Sequence, residues 1–290
     1  MFDVIIIGKG PAGLSAGIYT AMANLNTLVV GKESAIEKTN TIKNYFGFPD
    51  TINGMQLIKN GEKQANTVGC NIIDDLVIKL EKNDNIFEIT TMNNNVYQSK
   101  SVLLATGNTR NNVTIDNIGC FEGKGVSYCT TCDGFFFRNK KVGVIGNTNY
   151  TVNEAYELLN YTNQVYILTN GKVLESTVRS PINVKNNKIK ELSGNNKLEY
   201  IIYEDGEKEP FDGVFVAENY PTATEFVRKL GINTQNGLIK TDNSLMTNIE
   251  GLFAAGDLVN EFKQIATAVS SGAIAAKNII KYCKEYENVV

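Results

Sequence analysis

Short apolar runs recur along this chain, each closing in a glycine or small polar turn before a segment of helical period. Asp3 to Gly8 reads as a buried strand, and the helix after it places Leu14, Ile18, Ala21 and Met22 on one face. Thr27 to Gly31 returns as a strand. Asn53 to Val68 carries Met55, Ile58, Ala65 and Val68 at helical spacing, which predicts an amphipathic helix. Ile72 to Leu80 and Ile86 to Thr90 read as strands around a polar turn, Val96 to Gln98 as a third, and Ser101 to Gly107 as a buried strand. The strand–turn–helix–strand plan then repeats in Lys141 to Gly146, Thr151 to Leu159 and Gln164 to Leu168, with further strands at Leu198 to Tyr203 and Phe211 to Val216. Gly251 to Ala255 and a helix from Gln264 to Tyr282 resemble the missing end of the first unit. The pattern predicts an α/β protein in which residues 1–112 and 242–290 form one domain and 113–241 are inserted into it. The joints fall in the polar stretches 108–117 and 238–248.

Composition narrows the function. The 290 residues are 42% hydrophobic, enough for a large core, and the formal charge of −3 with pI near 5.3 gives no global field for nucleic acid or a membrane surface. The N-terminal run lacks a basic region and a cleavage site, and no run reaches the length of a membrane span, so a cytoplasmic protein is expected. Lysine outnumbers arginine 24 to 4, which limits where a bidentate phosphate clamp can stand.

Two stretches carry chemistry. Gly8-Lys-Gly10-Pro11-Ala12-Gly13 follows a strand and opens a helix, the context in which a GxGxxG turn holds a dinucleotide pyrophosphate on the helix N-terminus. The ribose-binding acid expected at the end of the next strand is absent; Gly31-Lys32 stands there, and Glu33 is the nearest candidate. The second stretch is Cys129-Thr-Thr-Cys132-Asp133. Such a pair can cycle between disulfide and dithiol, with a thiolate attacking a partner disulfide. Zinc would need further ligands in a chain that has no histidine and whose other cysteines, Cys70, Cys120 and Cys283, are scattered. A static disulfide or two inert buried thiols remain open beside redox exchange.

With these motifs in order, the chain closely resembles the low-molecular-weight thioredoxin reductases along nearly its whole length. The resemblance rests on Gly8-x-Gly10-Pro11-Ala12-Gly13, Ala105-Thr106-Gly107, Cys129-x-x-Cys132-Asp133-Gly134, and Gly256-Asp257 followed by Lys263-Gln264-Ile265 and Ala268. It implies a two-dinucleotide-binding-domain flavoprotein and a homodimer, with a discontinuous FAD domain and an inserted NADPH-binding-like domain that carries the cysteines. It also implies that Asp257 binds the FAD ribityl chain and that Lys263-Gln264 open a helix facing the flavin. Cys132 would lie nearest the flavin, Cys129 would be the exposed thiol that attacks thioredoxin, and Asp133 would manage their protons. A helix-capping or solvent-facing acid is the plainer reading of Asp133.

The departures point further. Where pyridine-nucleotide-dependent members carry a second glycine-rich turn, this chain has Gly146-Asn-Thr-Asn-Tyr-Thr, and Tyr150 in particular is expected to obstruct a pyrophosphate. The next strand ends without the basic cluster that a 2′-phosphate needs, only Lys172 being close, and Ala217-Glu218-Asn219-Tyr220-Pro221 adds a negative charge. The chain is therefore similar to the ferredoxin-dependent flavin thioredoxin reductases: ferredoxin is the expected donor, thioredoxin the acceptor, and NADPH is not expected. A divergent NADPH site, a flavin dithiol oxidase and a non-enzymatic scaffold are the rival readings.

Overall fold

The computed structural model describes residues 1–107, 114–218 and 223–287. In chain order the first part contains β1 (Phe2–Ile7), α1 (Pro11–Met22), β2 (Thr27–Val30), α2 (Gly54–Thr67), β3 (Asn71–Ile73), β4 (Val77–Asn83), β5 (Ile86–Thr91) and β6 (Val96–Leu104). The middle contains β7 (Val126–Ser127), α3 (Thr130–Asp133), β8 (Val142–Ile145), α4 (Asn149–Leu158), β9 (Val165–Leu168), β10 (Asn183–Lys185), β11 (Ile189–Ser193), β12 (Tyr200–Tyr203), β13 (Lys208–Pro210) and β14 (Gly213–Val216). The last part adds α5 (Ala223–Leu230), β15 (Thr234–Gln235), β16 (Leu238–Ile239), β17 (Leu252–Ala254) and α6 (Ile265–Glu287). Two compact units result, one from Met1–Thr109 with Thr222–Val290 and the other from Arg110–Pro221.

In the first unit β3, β2, β1, β6 and β17 run parallel, and the leading half of β6 pairs antiparallel with β5, which pairs with β4. Alternate residues feed two cores. Val4, Ile6, Val29 and Leu103 pack with α1, α2 and α6, whereas Ile5, Ile7, Leu28 and Leu104 pack with the antiparallel strands and α5. Burial on both faces is why these strands read as continuous apolar runs. In the second unit the parallel sheet has the order β10, β9, β8, β14, β7, and β11, β12 and β13 form a separate antiparallel sheet.

Several expectations change. Ile72 to Leu80 is two strands: β3 pairs parallel with β2, then the chain turns at Asp74-Asp75-Leu76, where Asp74 is ion-paired to Lys9 at 2.9 Å, and β4 pairs antiparallel with β5. Val96 to Gln98 and Ser101 onward are instead one strand, because β6 changes partners halfway along. Met22 and Met55 are 63% and 48% exposed, so the helices bury narrower faces than their apolar spacing suggested. Helix α4 begins at Asn149, and α5, β10 and β11 had no recognised signal. Residues 223–241 do not close the inserted domain. Phe226, Val227, Ile232 and Ile239 pack in the first unit's core, so the stretch 238–248 is not a joint between units. Of the other expected joint, 108–113 lie outside the described residues.

One ion-pair cluster ties the two sheets of the second unit together. Glu209 on β13 receives Lys141 at 2.6 Å and Lys185 of β10 at 2.8 Å, and accepts the Tyr203 hydroxyl at 3.1 Å. Lys141 also lies over the rings of Tyr166 and Phe211. Burial pushes the Glu209 carboxyl up, but the hydrogen bonds from Lys141 and Lys185 outweigh it and hold the group below its ordinary value. A depressed folded-state value adds stability above the unfolded glutamate pKa of about 4.3, and that stability is lost as pH falls through the folded value. Urea unfolding of Glu209→Gln should therefore show a deficit of about 1–3 kcal/mol at neutral pH that shrinks on acidification below about pH 4.

Candidate functional site

The first unit presents a cradle at the carboxyl ends of β1, β6 and β17. Gly8 leaves β1 with φ +115°, and a Cβ there would overlap the carbonyl of Ala105, where β6 ends. Only glycine fits that crossing. Gly10 is the N-cap of α1, Pro11 its first residue, and among the described residues no side chain caps this end. The first amides of a helix have no intrahelical acceptor, so those of Ala12 and Gly13 are available to an anion. A Cβ on Gly10 would meet only the Ser34 hydroxyl, at 3.2 Å, so the space next to this N-cap is otherwise clear. Gly256, which follows β17, lies against Ala12, and its amide donates to Ser271 Oγ at 2.9 Å.

The remaining predicted contacts join this cradle unequally. Burial raises the Asp257 carboxyl above its ordinary value, with Lys263 pulling it down. Gln264 precedes α6 and accepts from Asn44 at 2.8 Å, while Lys263 is exposed and Ile265 starts the helix. Thr106 and Gly107 follow β6, and the Thr106 amide nitrogen lies beside Gly8. Glu33 is exposed. A Cβ on Gly31 would lie 2.6 Å from the Lys9 amide nitrogen, so an acid cannot occupy the usual ribose-binding position. The uncapped helix end and the clear space beside Gly10 fit the pyrophosphate of FAD.

The second unit repeats the crossing and fills the cradle itself. Gly146 leaves β8 with φ +147°, and a Cβ there would overlap the carbonyl of Ala217 after β14. Counting from each first glycine, Gly10 and Gly13 correspond to Thr148 and Thr151. Thr148 is the N-cap of α4: its hydroxyl accepts the Thr151 amide at 3.4 Å, and its own amide donates to Thr151 Oγ1 at 3.1 Å. Thr151 Oγ1 in turn donates to Ala217 O at 2.7 Å.

The segment after β9 then covers the turn. Asn147 Nδ2 donates to Val173 O at 2.9 Å, the Glu175 amide donates to Asn147 O at 2.8 Å, and Ser176 hydrogen-bonds Asn149. Lys172 is paired to the buried Glu218 at 2.9 Å. Tyr150, expected to block the turn, is 2% exposed and serves the core, so the obstruction comes from its neighbours. Asn219, Tyr220 and Pro221 lie outside the described residues.

The cysteine pair of the second unit is joined as a disulfide, with Cα atoms 5.3 Å apart. Cys129 is 1% exposed and Cys132 is exposed, the reverse of the exposure expected of the two sulfurs. Cys129 is the N-cap of the one-turn helix α3, and its Sγ accepts the Cys132 amide at 3.2 Å. Asp133 ends α3 and stands at the N-cap of the 3-10 turn Gly134–Phe137, but its side chain makes no capping hydrogen bond there. Its Oδ2 accepts the Ser127 hydroxyl at 2.6 Å, a contact with no separate sequence signal beyond a serine two residues before the first cysteine. Burial pushes the Cys70 thiol of the first unit up to about 11, which suits an inert core cysteine.

Comparison with known proteins agrees with this geometry. A family model described as pyridine nucleotide-disulphide oxidoreductase matches residues 2–272. The thioredoxin reductase of Treponema pallidum is 35% identical over 305 residues, covering 99% of each chain. The crystal structure of the atypical thioredoxin reductase TRi from Desulfovibrio vulgaris Hildenborough is 41% identical, covers 98% of this chain and 99% of that one, and has a TM-score of 0.91. A ferredoxin-flavin thioredoxin reductase from Clostridium acetobutylicum is 28% identical, covers 99% of this chain and 98% of that one, and has a TM-score of 0.72.

The threonine cap makes a measurable contribution. Thr148→Ala should lower stability in urea unfolding by about 1 kcal/mol, and Thr148→Gly by only a few tenths, the ordering of N-cap preferences. Equal losses would mean that the hydroxyl is not the cap.

Proposed function

The chain belongs to the pyridine nucleotide-disulphide oxidoreductase family, and we propose that it works as a thioredoxin reductase supplied with electrons by ferredoxin instead of NADPH. It is an oxidoreductase acting on a disulfide, and its cofactor is FAD. The observation that carries the choice of donor is the self-filled turn at Gly146. A nucleotide phosphate there would have to displace the Thr148–Thr151 cap and the strap from Val173 to Ser176. It would gain no free cation from Lys172, which Glu218 holds.

Bound FAD supplies a carrier that can be loaded with single electrons and unloaded in a pair. In the first unit the amides of Ala12 and Gly13 would hold its pyrophosphate, and the Asp257 carboxyl its ribityl hydroxyls. The start of α6 at Ile265, preceded by Lys263 and Gln264, would lie beside the pyrimidine edge, where the positive end of a helix favours developing negative charge. A donor near −400 mV reducing thioredoxin near −270 mV is downhill by about 6 kcal/mol for two electrons.

In the oxidised pair Cys132 is the sulfur open to attack. Breaking the bond from that side leaves charge on Cys129, whose Sγ already receives the Cys132 amide. The Cys129 thiolate then attacks the thioredoxin disulfide, forming a mixed disulfide and releasing one thioredoxin thiolate. Asp133 takes the proton from the Cys132 thiol and passes it to the departing sulfur; Cys132 attacks Cys129 and frees the second thioredoxin sulfur. The buried Cys129 must become accessible for this exchange, so movement of the loop or of the inserted unit belongs to the cycle. The homodimer and the cytoplasmic location are parts of the same proposal.

Two measurements test it. In an anaerobic absorbance titration, reduced ferredoxin should bleach the flavin while NADPH and NADH leave it oxidised on the same timescale; rapid bleaching by NADPH overturns the choice of donor. Reduced Cys132→Ser enzyme should trap thioredoxin as a mixed disulfide on a non-reducing gel, whereas Cys129→Ser should not. The opposite outcome reverses the roles of the two sulfurs.

A further inference from the structure

We infer that Ser127 is the positioning residue for the proton carrier of the dithiol, tying the Asp133 carboxylate to the backbone of Cys129. This rests on the reading of Asp133 as the acid/base of thiol exchange. Ser127 ends β7, and its backbone is pinned by parallel pairing with Phe215 of β14, next to Val126 paired with Val214. Its side chain is fixed on that sheet and the residue is 5% exposed. The hydroxyl has one proton. Asp133 Oδ2 at 2.6 Å takes it in preference to the Cys129 carbonyl at 3.4 Å, as a charge-assisted bond is shorter and stronger than a neutral one. The oxygen also accepts the Cys129 amide at 3.1 Å.

The segment is therefore a closed ring. Ser127 Oγ joins the Asp133 carboxylate to the Cys129 amide, the Asp133 amide donates to Cys129 O at 3.1 Å, and the Cys132 amide donates to Cys129 Sγ at 3.2 Å. A four-residue helix has little rigidity of its own. The serine ties it to the parallel sheet.

The consequence lies in the proton step. Enzyme dithiol plus partner disulfide becomes enzyme disulfide plus partner dithiol; the Cys132 S–H bond breaks as the Cys129–Cys132 bond forms, and the proton moves through Asp133 to the partner's leaving sulfur. The Ser127 hydroxyl fixes the place of the carboxylate that takes this proton, so deleting the donor leaves the carboxylate free to turn away from the transfer.

The test uses the full-length FAD-loaded protein, reduced with dithiothreitol and desalted without oxygen, reacting in a single turnover with a small aromatic disulfide across pH. Wild type should show a rate limb rising with pH. Ser127→Ala should lower the rate along that limb by about tenfold, a part of what a positioned acid/base contributes. Ser127→Thr, which keeps the hydroxyl, should restore the wild-type limb, and Asp133→Asn should abolish it. Should Ser127→Ala fail to fold, Ser127→Gly removes the same hydroxyl. A Ser127→Ala limb coincident with wild type, with Asp133→Asn still abolishing it, overturns the role of Ser127 alone. An unchanged limb in Asp133→Asn overturns the proton-carrier reading itself.

Discussion

The first amides of an α-helix must find acceptors outside the helix, and each unit of this protein answers that requirement differently. Helix α1 leaves them to a ligand: Gly10 stands at its N-cap with no side-chain acceptor among the described residues. Helix α4, reached from its strand by the same glycine crossing, uses Thr148. The same local fold thus ends in an uncapped helix N-terminus in one unit and a threonine-capped one in the other. The difference resides in two residues and a covering strap.

The disulfide follows the same logic at smaller scale. Its helix is one turn long, so orientation comes from hydrogen bonds among Ser127, Cys129, Cys132 and Asp133 and from the sheet edge that Ser127 occupies. The arrangement gives each sulfur a separate character. Cys132 is accessible, while Cys129 is buried with an amide directed at its sulfur. A pair in which one sulfur accepts attack and the other is prepared to leave has a built-in direction for electron flow.

The parts legible in the sequence were those whose signal is local. The run from Val4 to Ile7, the glycine turn after it and the cysteine pair announce themselves by composition and spacing. What remained hidden depends on partners distant in the chain. The partner change along β6, the break between β3 and β4, and the return of residues 223–241 to the first unit are set by which neighbour each segment meets, which apolar spacing does not record. Tyr150 shows the same limit: its place in the turn was visible, but its burial was not. Ser127 escaped notice because its role exists only once Asp133 folds back over it.

Which glycines persist in the two turns separates packing from binding. Gly8 and Gly146 are both required, since a Cβ at either would overlap the carbonyl of the strand beside it. The third glycine differs. A Cβ on Gly13 would overlap the carbonyl of Gly8, so α1 lies hard against its turn, whereas α4 carries Thr151 at that position, with its Oγ1 bonded to Ala217 O. Close approach of helix to turn is what brings the helix amides up to a pyrophosphate; in α4 the Thr151 amide is donated to the Thr148 hydroxyl. The threonines nevertheless strengthen the unit, because they satisfy donors that a vacant phosphate site would leave to water. The same pair of residues thus closes the turn after β8 and satisfies the first amides of α4.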